Sequence, residues 1–461
     1  MPHVAFLPSG LGSFTAFFRL ASLLSSSSCK ITFILVQPQA SSSKDPNISS
    51  FFLKHPQIKR FDFEIPPPLD NGGCTSQDPF IKHLEGINSS LHLLNRILDS
   101  VEPPAPVSAI FSDFALAATL TQIMAFNPPP LYIVSTTSAK FYSTVAYLPV
   151  LMTEHPNAFS SSYLRDLEVP GLAPIKRENI PPTWLDESPF NYLVKAYLLP
   201  NAQSLPKVNG VFLNTFDRFE PETIAVLRSG EVLSNLPPVF TIGPLEPYEL
   251  EKKGHHFTWL DEHSPESVIY VDFGSKGAMP ADQMKELAKG LVICGYSFLW
   301  VTRKNQDEKD YENELRDLFG DSFPKEMNSN GKVLKGNVNR EDILAHPAIG
   351  GFVNQCEWDS VMDAAREGVP ILAWPQHGDQ KMNAEAVENA GLGLWIRSWG
   401  WAGEKLVKRD EIRDKLTEMM TDSRLRYNTK RLKEEARKAG AFRGTDEVIQ
   451  ILKSPETPRN Y

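Results

Sequence analysis

The chain has 461 residues, a formal net charge of −9 and a sequence pI near 5.7. This acidic balance argues against a nucleic-acid partner and against a membrane-surface partner, because a phosphate-binding face requires an excess of basic side chains. No apolar run reaches the length that spans a membrane. The length is sufficient for two domains, each with a core of its own.

The cysteines and the amino terminus bear on the cellular compartment. Four cysteines are scattered along the chain without CxxC or CxxH spacing: Cys29, Cys74, Cys294 and Cys356. This pattern predicts free thiols in a reducing cytosol and no metal site. The amino terminus has no basic region ahead of its first apolar run, so we expect no signal peptide and a cytoplasmic protein.

The first forty residues predict a strand, a loop, a helix and a second strand. Residues 4–8 and 30–36 are apolar strands, and residues 15–25 carry apolar side chains at helical spacing. The loop between them, residues 9–13, holds two glycines but does not match GxGxxG. It is therefore weak evidence for a nucleotide site. A turn that allows the strand to pack closely on the helix is the alternative interpretation.

Strands and helices continue to alternate through the first half of the chain. The predicted elements are strands at 61–65, Ala109–Ser112 and Leu131–Ser135, and helices at 78–98, from Phe114 and from Ser138. This alternation indicates a doubly wound parallel sheet with its sites at the carboxyl ends of the strands. Asp113 directly follows a strand, and two interpretations stay open. It is either a helix N-cap or a functional carboxylate.

A stretch rich in Pro and Gly, followed by charged residues, marks a domain boundary at residues 235–254. We therefore predict an N-terminal domain of residues 1–240 and a C-terminal domain of residues 241–461. The elements predicted after the boundary are strands at 268–273 and 298–301, helices at 280–294, 410–420 and 428–439, and a solvated loop or exposed helix at 304–321.

Residues 333–380 contain a second strand–helix–strand pattern. The predicted elements are a strand at 350–353, a polar turn at 354–360, a helix at 361–367 that ends at Gly368, and a strand at 369–375. A turn at the N-terminus of a helix is a usual docking point for a phosphate or another anion.

The same segment carries a family resemblance. The matching framework residues are His346, Pro347, Gly350, Gly351, Phe352, Val353, Cys356, Trp358, Ser360, Gly368, Val369, Pro370, Trp374, Pro375, Asp379 and Gln380. This pattern resembles the donor-binding signature of plant family-1 UDP-glycosyltransferases. Residues 8–21 resemble the first loop and helix of the subgroup that C-glycosylates flavonoids.

The resemblance implies an α/β fold of the GT-B class, with two facing Rossmann-like, doubly wound domains and an inter-domain cleft. It places the acceptor site mainly in the first domain and the UDP-sugar site mainly in the second. It also implies that the last helix packs back on the first domain.

The position of the family's catalytic histidine is occupied by Ser13, and the position of its carboxylate partner by Asp113. A hydroxyl cannot act as a general base at neutral pH, so Asp113 has no imidazole at that place to orient. Loss of general-base assistance removes roughly 10²–10⁴ in rate.

The polar donor-site positions also differ from the family pattern. Asn337 replaces the tryptophan that stacks on uracil, and Arg340 replaces a glutamine. The remaining donor-site positions are Ser275, Gln355 in place of a histidine, Glu357 in place of a glycine, Trp358, Asp359 in place of an asparagine, Ser360, Asp363 in place of the ribose-binding glutamate, and the sugar-facing Asp379 and Gln380. Loop capping is the alternative role for the last two residues.

Three hypotheses about function follow. The first is an enzyme of plant specialised metabolism that acts on a flavonoid-like or other polyphenolic molecule without a sugar, by cyclisation, isomerisation or dehydration. The polar groups then available are Asp113, Ser13 and, as acceptor-cleft candidates, His83 and Glu85, which are alternatively solvated helix residues. The second is a C- or O-glycosyltransferase that uses UDP-glucose; UDP-glucose is expected as a cofactor only there. The third is a non-catalytic binding protein that partners another pathway enzyme.

Overall fold

The structure is a computed structural model, and it describes residues 1–10, 14–38, 46–65, 83, 85–87, 90, 93, 107–123, 128–160, 163, 165–185, 193–248, 255–274, 279–302, 331–336 and 338–453. The chain folds into two compact units. The first comprises Met1–Asp217, Pro221–Tyr248 and Ala439–Tyr461, and the second comprises Arg218–Glu220 and Glu249–Lys438.

A seven-stranded sheet forms the centre of the first unit. Its strands are β1 (His3–Leu7), β2 (Lys30–Pro38), β3 (Lys59–Ile65), β4 (Ala109–Ser112), β5 (Leu131–Ser135), β6 (Gly210–Leu213) and β7 (Val239–Thr241). They pair in the order β3-β2-β1-β4-β5-β6-β7, and every pairing is parallel. Strands β1, β4 and β5 are buried along their whole length, as expected for a parallel sheet covered on both faces.

The helices of the first unit connect these strands. Those with described bounds are α1 (Thr15–Ser26), α2 (Pro46–Lys54), α3 (Ala117–Ile123), α4 (Ala139–Glu154), α5 (Leu199–Ser204) and α6 (Pro221–Ser229). Ser138 caps α4, because its hydroxyl accepts a hydrogen bond from the Phe141 backbone N–H at 3.3 Å. Residues 83, 85–87, 90 and 93 are also helical.

Aromatic side chains fill the core beneath the first sheet. The ring of Phe6 on β1 stacks on Phe33 of β2 at 5.7 Å and meets the edge of Phe111 on β4 at 5.3 Å. Aromatic pairs of this kind contribute about 0.5–1.5 kcal/mol beyond the area they bury. This packing holds the ends of β1 and β4 side by side, and the loops that follow these strands form the first candidate site.

A six-stranded parallel sheet forms the centre of the second unit. Its strands are β8 (Val268–Asp272), β9 (Ser297–Thr302), β10 (Gly331–Lys335), β11 (Ile349–Asn354), β12 (Ile371–Ala373) and β13 (Gly393–Trp395), in the order β10-β9-β8-β11-β12-β13. Its helices are α7 (His255–Asp261), α8 (Ala281–Ile293), α9 (Arg340–Leu344), α10 (Trp358–Glu367), α11 (Gln380–Ala390), α12 (Arg409–Thr421) and α13 (Ser423–Lys453). Helix α13 contributes Val448 and Leu452 to the core of the first unit.

The structure corrects several sequence expectations. Residues 239–241 form β7, an edge strand of the first sheet, although they lie in the stretch expected to be a boundary. Helix α10 begins at Trp358 rather than at residue 361. Helix α11 and strand β13 were not predicted, and the expected helix at 428–439 is part of α13, which continues to Lys453. Short or polar elements such as these carry little apolar periodicity.

Two elements expected from the sequence lie mostly or wholly outside the residues that the structure describes. The expected helix at 78–98 is described only at residues 83, 85–87, 90 and 93, and the charged segment 304–321 lies outside the described residues. Within the described ranges, every helix is too short or too polar to cross a lipid bilayer.

Candidate functional site

Each sheet reverses its strand order at one place, and this reversal locates the candidate sites. In the first sheet the reversal lies between β1 and β4: β2 and β3 continue on the far side of β1, and β5, β6 and β7 continue on the far side of β4. The strands β1 and β4 are paired, with Leu7 opposite Ser112. In open α/β sheets, ligands bind beyond the carboxyl ends of the strands at such a switch point. Ser9 and Gly10 follow β1 there, and Asp113 follows β4.

Asp113 is held by the loop that follows β1. Its Oδ2 accepts hydrogen bonds from the Ser9 backbone N–H at 2.7 Å and from the Ser9 hydroxyl at 2.6 Å. Its Oδ1 accepts one from the Ala115 backbone N–H at 3.1 Å. Asp113 therefore caps the 3₁₀ turn Phe114–Leu116, and it also links this turn by hydrogen bonds to Ser9 in the loop after β1.

Burial raises the pKa of Asp113, although the hydrogen bonds from Ser9, Ala115 and Leu116 favour its ionised form. A carboxyl group with a raised pKa is better able to hold or donate a proton near neutral pH. The charge of Asp113 also contributes, after burial, to a raised pKa of the Tyr197 phenol. The Tyr197 ring meets the edge of the Phe114 ring at 6.0 Å.

The imidazole of His83 lies at the same loop. His83 Nε2 is 2.9 Å from the Ser9 carbonyl oxygen. Gly10 follows with φ +78°, and a Cβ atom placed on it would lie 2.9 Å from the Val36 carbonyl oxygen and 3.5 Å from His83 Nε2. Ser9 thus contacts both His83 and Asp113. The side chain of Glu85 is half-buried, and Ser13 lies outside the described residues.

The second switch point lies between β8 and β11, where Asp272 is in register with Asn354. The turn after β11 has a fixed backbone. Asn354 Oδ1 accepts a hydrogen bond from the Cys356 N–H at 2.7 Å, and the Asn383 side chain donates to the Cys356 carbonyl at 3.0 Å. Cys356 is completely buried with φ +66°, a left-handed conformation that this network stabilises.

Gln355 and Glu357 face each other across this turn. Gln355 Nε2 donates to Glu357 Oε1 at 2.9 Å. Gly274, which follows β8 with φ +68°, lies so close that an added Cβ would be 2.8 Å from Gln355 Nε2. This bond leaves Gln355 Oε1 buried without a hydrogen-bond partner among the described residues. Ser275, the next residue after Gly274, lies outside the described residues, as does Asn337.

A buried ion pair joins α9 to α10. Arg340 Nε and Nη2 both donate to Asp363 Oδ2, at 3.0 and 2.7 Å. The two side chains are only 16% and 3% exposed. Burial alone would lower the pKa of Arg340, but the charges of Asp363, Asp272 and Asp359 outweigh this effect and raise the pKa. The guanidinium is therefore a fixed cation in an acidic surrounding.

Of the remaining donor-site positions, Trp358, Asp359, Ser360 and Gln380 are buried and Asp379 is half-buried. Trp358, Asp359 and Ser360 begin α10, and the Trp358 ring meets the edge of Phe219 at 5.6 Å. Gln380 Oε1 accepts hydrogen bonds from the N–H groups of Gln376 and His377, at 2.8 and 3.0 Å, so that it caps its own loop. Asp379 stands at the N-cap of α11 without a side-chain capping bond.

Sequence reasoning missed two partners. It did not assign Ser9 to Asp113, and it did not expect Arg340 to pair with Asp363. For Ser9 a signal was available, since residues that directly follow neighbouring parallel strands meet at one edge of the sheet. For Arg340 the only signal was a cation standing where a neutral residue is usual. Among the described residues, no group of histidine, cysteine, aspartate and glutamate side chains could hold a metal ion.

Comparison with known proteins assigns the class. The family model described as UDP-glucoronosyl and UDP-glucosyl transferase matches residues 210–432. UDP-glycosyltransferase 708C1 of Fagopyrum esculentum is 40% identical over 443 residues, 95% of this chain and 92% of that protein. UDP-glycosyltransferase 708G2 of Citrus unshiu is 38% identical over 454 residues, 97% of this chain and 94% of that protein.

Solved structures agree with this class. The crystal structure of LpCGTa in complex with UDP matches with a TM-score of 0.83 at 33% sequence identity, over 98% of each chain. The two parallel-sheet, Rossmann-like units are those of the GT-B fold class. The chain belongs to the UDP-glycosyltransferase family, within the glycosyltransferase superfamily of enzymes. The predicted fold class and the family resemblance are both confirmed.

The raised pKa of Asp113 predicts a pH-dependent effect of Asp113→Asn. An unfolded aspartate titrates near about pH 3.9. Because the folded pKa is higher, Asp113 stabilises the parent relative to the variant most at pH values below the unfolded pKa. This advantage falls as pH rises through the folded pKa, by about 1.4 kcal/mol for each pH unit that separates the two values. Urea unfolding of both proteins at a series of pH values measures it.

Asp166→Asn is the matched control for this experiment. The Lys176 ammonium and the Arg177 N–H lower the pKa of Asp166, so that the parent's advantage over this variant is present at neutral pH and is lost as pH falls. If the stability difference between parent and variant changed with pH in the same direction for both variants, the raised pKa of Asp113 would be contradicted.

Removal of one partner of the buried ion pair is predicted to destabilise the second unit. Arg340→Met leaves Asp363 without its cation and should lower the free energy of unfolding by about 3–5 kcal/mol. The double change Arg340→Met with Asp363→Leu should recover most of this loss. The control is Arg397→Met, which breaks a half-exposed pair with Glu388 and should cost about 1 kcal/mol or less. Equal effects of Arg340→Met and Arg397→Met in urea unfolding would refute the prediction.

Proposed function

We propose that this chain is an enzyme of plant specialised metabolism that acts on a flavonoid-like or other polyphenolic molecule at the switch point of its first unit. The step is a sugar-independent one, such as cyclisation, isomerisation or dehydration, in place of ordinary UDP-sugar transfer. The observation that carries the proposal is the ion pair between Arg340 and Asp363, because it occupies a carboxylate that the family resemblance assigns to the ribose of UDP.

The ion pair opposes nucleotide binding directly. A ribose hydroxyl would have to compete for Asp363 with a guanidinium that donates two hydrogen bonds to its Oδ2, the shorter at 2.7 Å. A hydrogen bond to a charged partner contributes about 1.5–3 kcal/mol, and each 1.4 kcal/mol is about tenfold in affinity. Competition at Asp363 alone therefore weakens UDP binding by about one to two powers of ten.

The phosphate-binding turn is also unfavourable to a diphosphate. A helix N-terminus attracts anions because its backbone N–H groups carry partial positive charge. At the N-terminus of α10 the chain supplies two carboxylates of its own, Glu357 at the N-cap and Asp359 in the first turn. Two like charges about 4 Å apart cost on the order of 4 kcal/mol at a surface-like dielectric.

The site in the first unit retains groups suited to a phenol. The Asp113 carboxyl has a raised pKa and is fastened to Ser9, so it can exchange a proton with a hydroxyl or an enol of a ligand. The aromatic side chains of Phe114 and Tyr197 lie next to it. Flat aromatic surfaces are suited to stacking on a polyphenol ring. Ser13 and Glu85 remain candidates for further polar contacts to the ligand.

We place this chemistry in the cytosol. The support for this placement is that the three described cysteines, Cys29, Cys294 and Cys356, are free thiols. Free thiols are the usual state in a reducing compartment.

A working C- or O-glycosyltransferase that uses UDP-glucose is the second candidate. It is favoured by the names of the relatives, which are UDP-glycosyltransferases, and by the UDP in the LpCGTa structure. Asp113 would then take the acceptor proton itself, which an acidic phenol would permit. Binding of a phenol without turnover, together with co-purification of a pathway enzyme, would favour a non-catalytic partner instead.

Incubation with a panel of phenolic compounds, with and without UDP-glucose, tests the proposal by mass spectrometry and chromatography. We expect at least one phenol to be isomerised, cyclised or dehydrated whether or not UDP-glucose is present. Transfer of a hexose by the unaltered protein would overturn the proposal in favour of the second candidate. Ser13→His in the same assay shows whether an imidazole at that position alone restores transfer.

Calorimetry with UDP tests the second unit separately. The parent is expected to show no micromolar binding. Arg340→Gln with Asn337→Trp restores the two residues of the family pattern, and we expect this variant to bind UDP at least about tenfold more tightly, because Asp363 is released from its ion pair. Arg397→Gln, a change at the exposed pair with Glu388, is the control and should leave UDP binding as in the parent.

A further inference from the structure

His83 lies beside the loop that follows β1, at the switch point of the first sheet. Its imidazole is half-buried, with Nε2 at 2.9 Å from the Ser9 carbonyl oxygen, and it reaches to within 3.5 Å of the Cβ position on Gly10. The loop after β1 is therefore in contact with an imidazole, although that imidazole comes from the helical segment around residue 83 and not from the loop itself.

The contact with Ser9 selects one tautomer of the ring. A carbonyl oxygen can only accept a hydrogen bond, so Nε2 carries the hydrogen and donates it. In the neutral ring the lone pair then lies on Nδ1. Within the part of the chain that the structure describes, no group hydrogen-bonds to His83 Nδ1. The lone pair on this nitrogen is therefore not used by a described residue.

Ser9 links the imidazole to the carboxyl group of the site. Its carbonyl accepts from His83, while its N–H and hydroxyl donate to Asp113 Oδ2 at 2.7 and 2.6 Å. Ser9 is fully buried, so both partners are held by a residue that has no freedom to move into solvent. When the ring is protonated, its bond to the Ser9 carbonyl becomes charge-assisted and stronger.

We propose that His83 is the proton acceptor of this site, with Ser9 as its positioning residue. Nδ1 takes the proton of a phenolic hydroxyl: the O–H bond breaks, an N–H bond forms, and the ligand becomes a phenolate beside an imidazolium. The same proton returns to the ligand at a carbon or oxygen later in the reaction, so no further reactant is consumed. The assignment rests on the proposed function, because it requires a phenol to bind in the first unit.

Binding of 4-nitrophenol tests the assignment, because its ionised form absorbs visible light and its neutral form does not. The buffer is kept near neutral pH, where an ordinary imidazole is mostly neutral, and the signal is the excess of phenolate absorption over that of the same concentration of free probe. We expect the parent protein to bind the probe and to generate the phenolate absorption band. His83→Gln should reduce this band at least tenfold, since a glutamine amide can still donate to the Ser9 carbonyl but cannot take up a proton.

His155→Gln is the matched control, because His155 is an exposed histidine at the end of α4, and it should keep the full band. Thermal melting of each variant shows whether it is folded. A measurement on the parent alone does not depend on any variant: NMR of isotope-labelled histidine should show one ring gaining a proton on Nδ1 when the probe binds.

The outcomes separate this inference from the proposed function. If the probe binds and ionises equally well in His83→Gln, or if only Asp113→Asn abolishes the band, His83 is not the acceptor, although the phenol site stands. If calorimetry shows that the parent binds the probe without ionising it, the inference is likewise wrong and the site remains. If no phenol binds to the parent at all, both the inference and the proposed function are overturned.

Discussion

The proposed loss of nucleotide binding depends on one interaction in the second unit, the ion pair between Arg340 and Asp363. It joins the short helix α9 to α10, which begins at the switch point of the second sheet. Because both side chains are largely withdrawn from water, neither can be released without leaving a charge poorly solvated. The negative charges of Asp272 and Asp359 also stabilise the Arg340 cation. On the proposed function, a nucleotide would meet a single cation that three carboxylates already surround.

Much of the fold followed from the sequence, because fully buried parallel strands are short apolar runs with clear ends. Ala109–Ser112 and Leu131–Ser135 were predicted with the observed bounds, and Gly368 was predicted as the end of α10. Strand β7 was not predicted, because three residues among prolines and glycines resemble a linker. Its position in the sheet is decided by pairing with β6, which is a tertiary effect.

The candidate sites were predictable only in part. A sequence indicates which residues follow each strand, and so it singled out Asp113, Gln355 and Glu357. It does not indicate which side chains turn toward one another. The bonds of Ser9 to Asp113 and of Gln355 to Glu357 depend on rotamers within a packed fold. The roles of Asp359, Ser360, Asp379 and Gln380 toward any ligand stay predictions.

The two hydrogen-bonded partners of Ser9, His83 and Asp113, depend differently on which amino acid stands at position 9. His83 is held through the carbonyl of the main chain, which every amino acid would provide at position 9. Asp113 is held partly through the serine hydroxyl, which few amino acids could replace. A substitution at position 9 therefore removes the hydroxyl bond to Asp113 but keeps the carbonyl that accepts from His83. On the proposed role of His83, the imidazole of this site comes from another segment of the chain, and the loop after β1 needs to supply only a main-chain carbonyl.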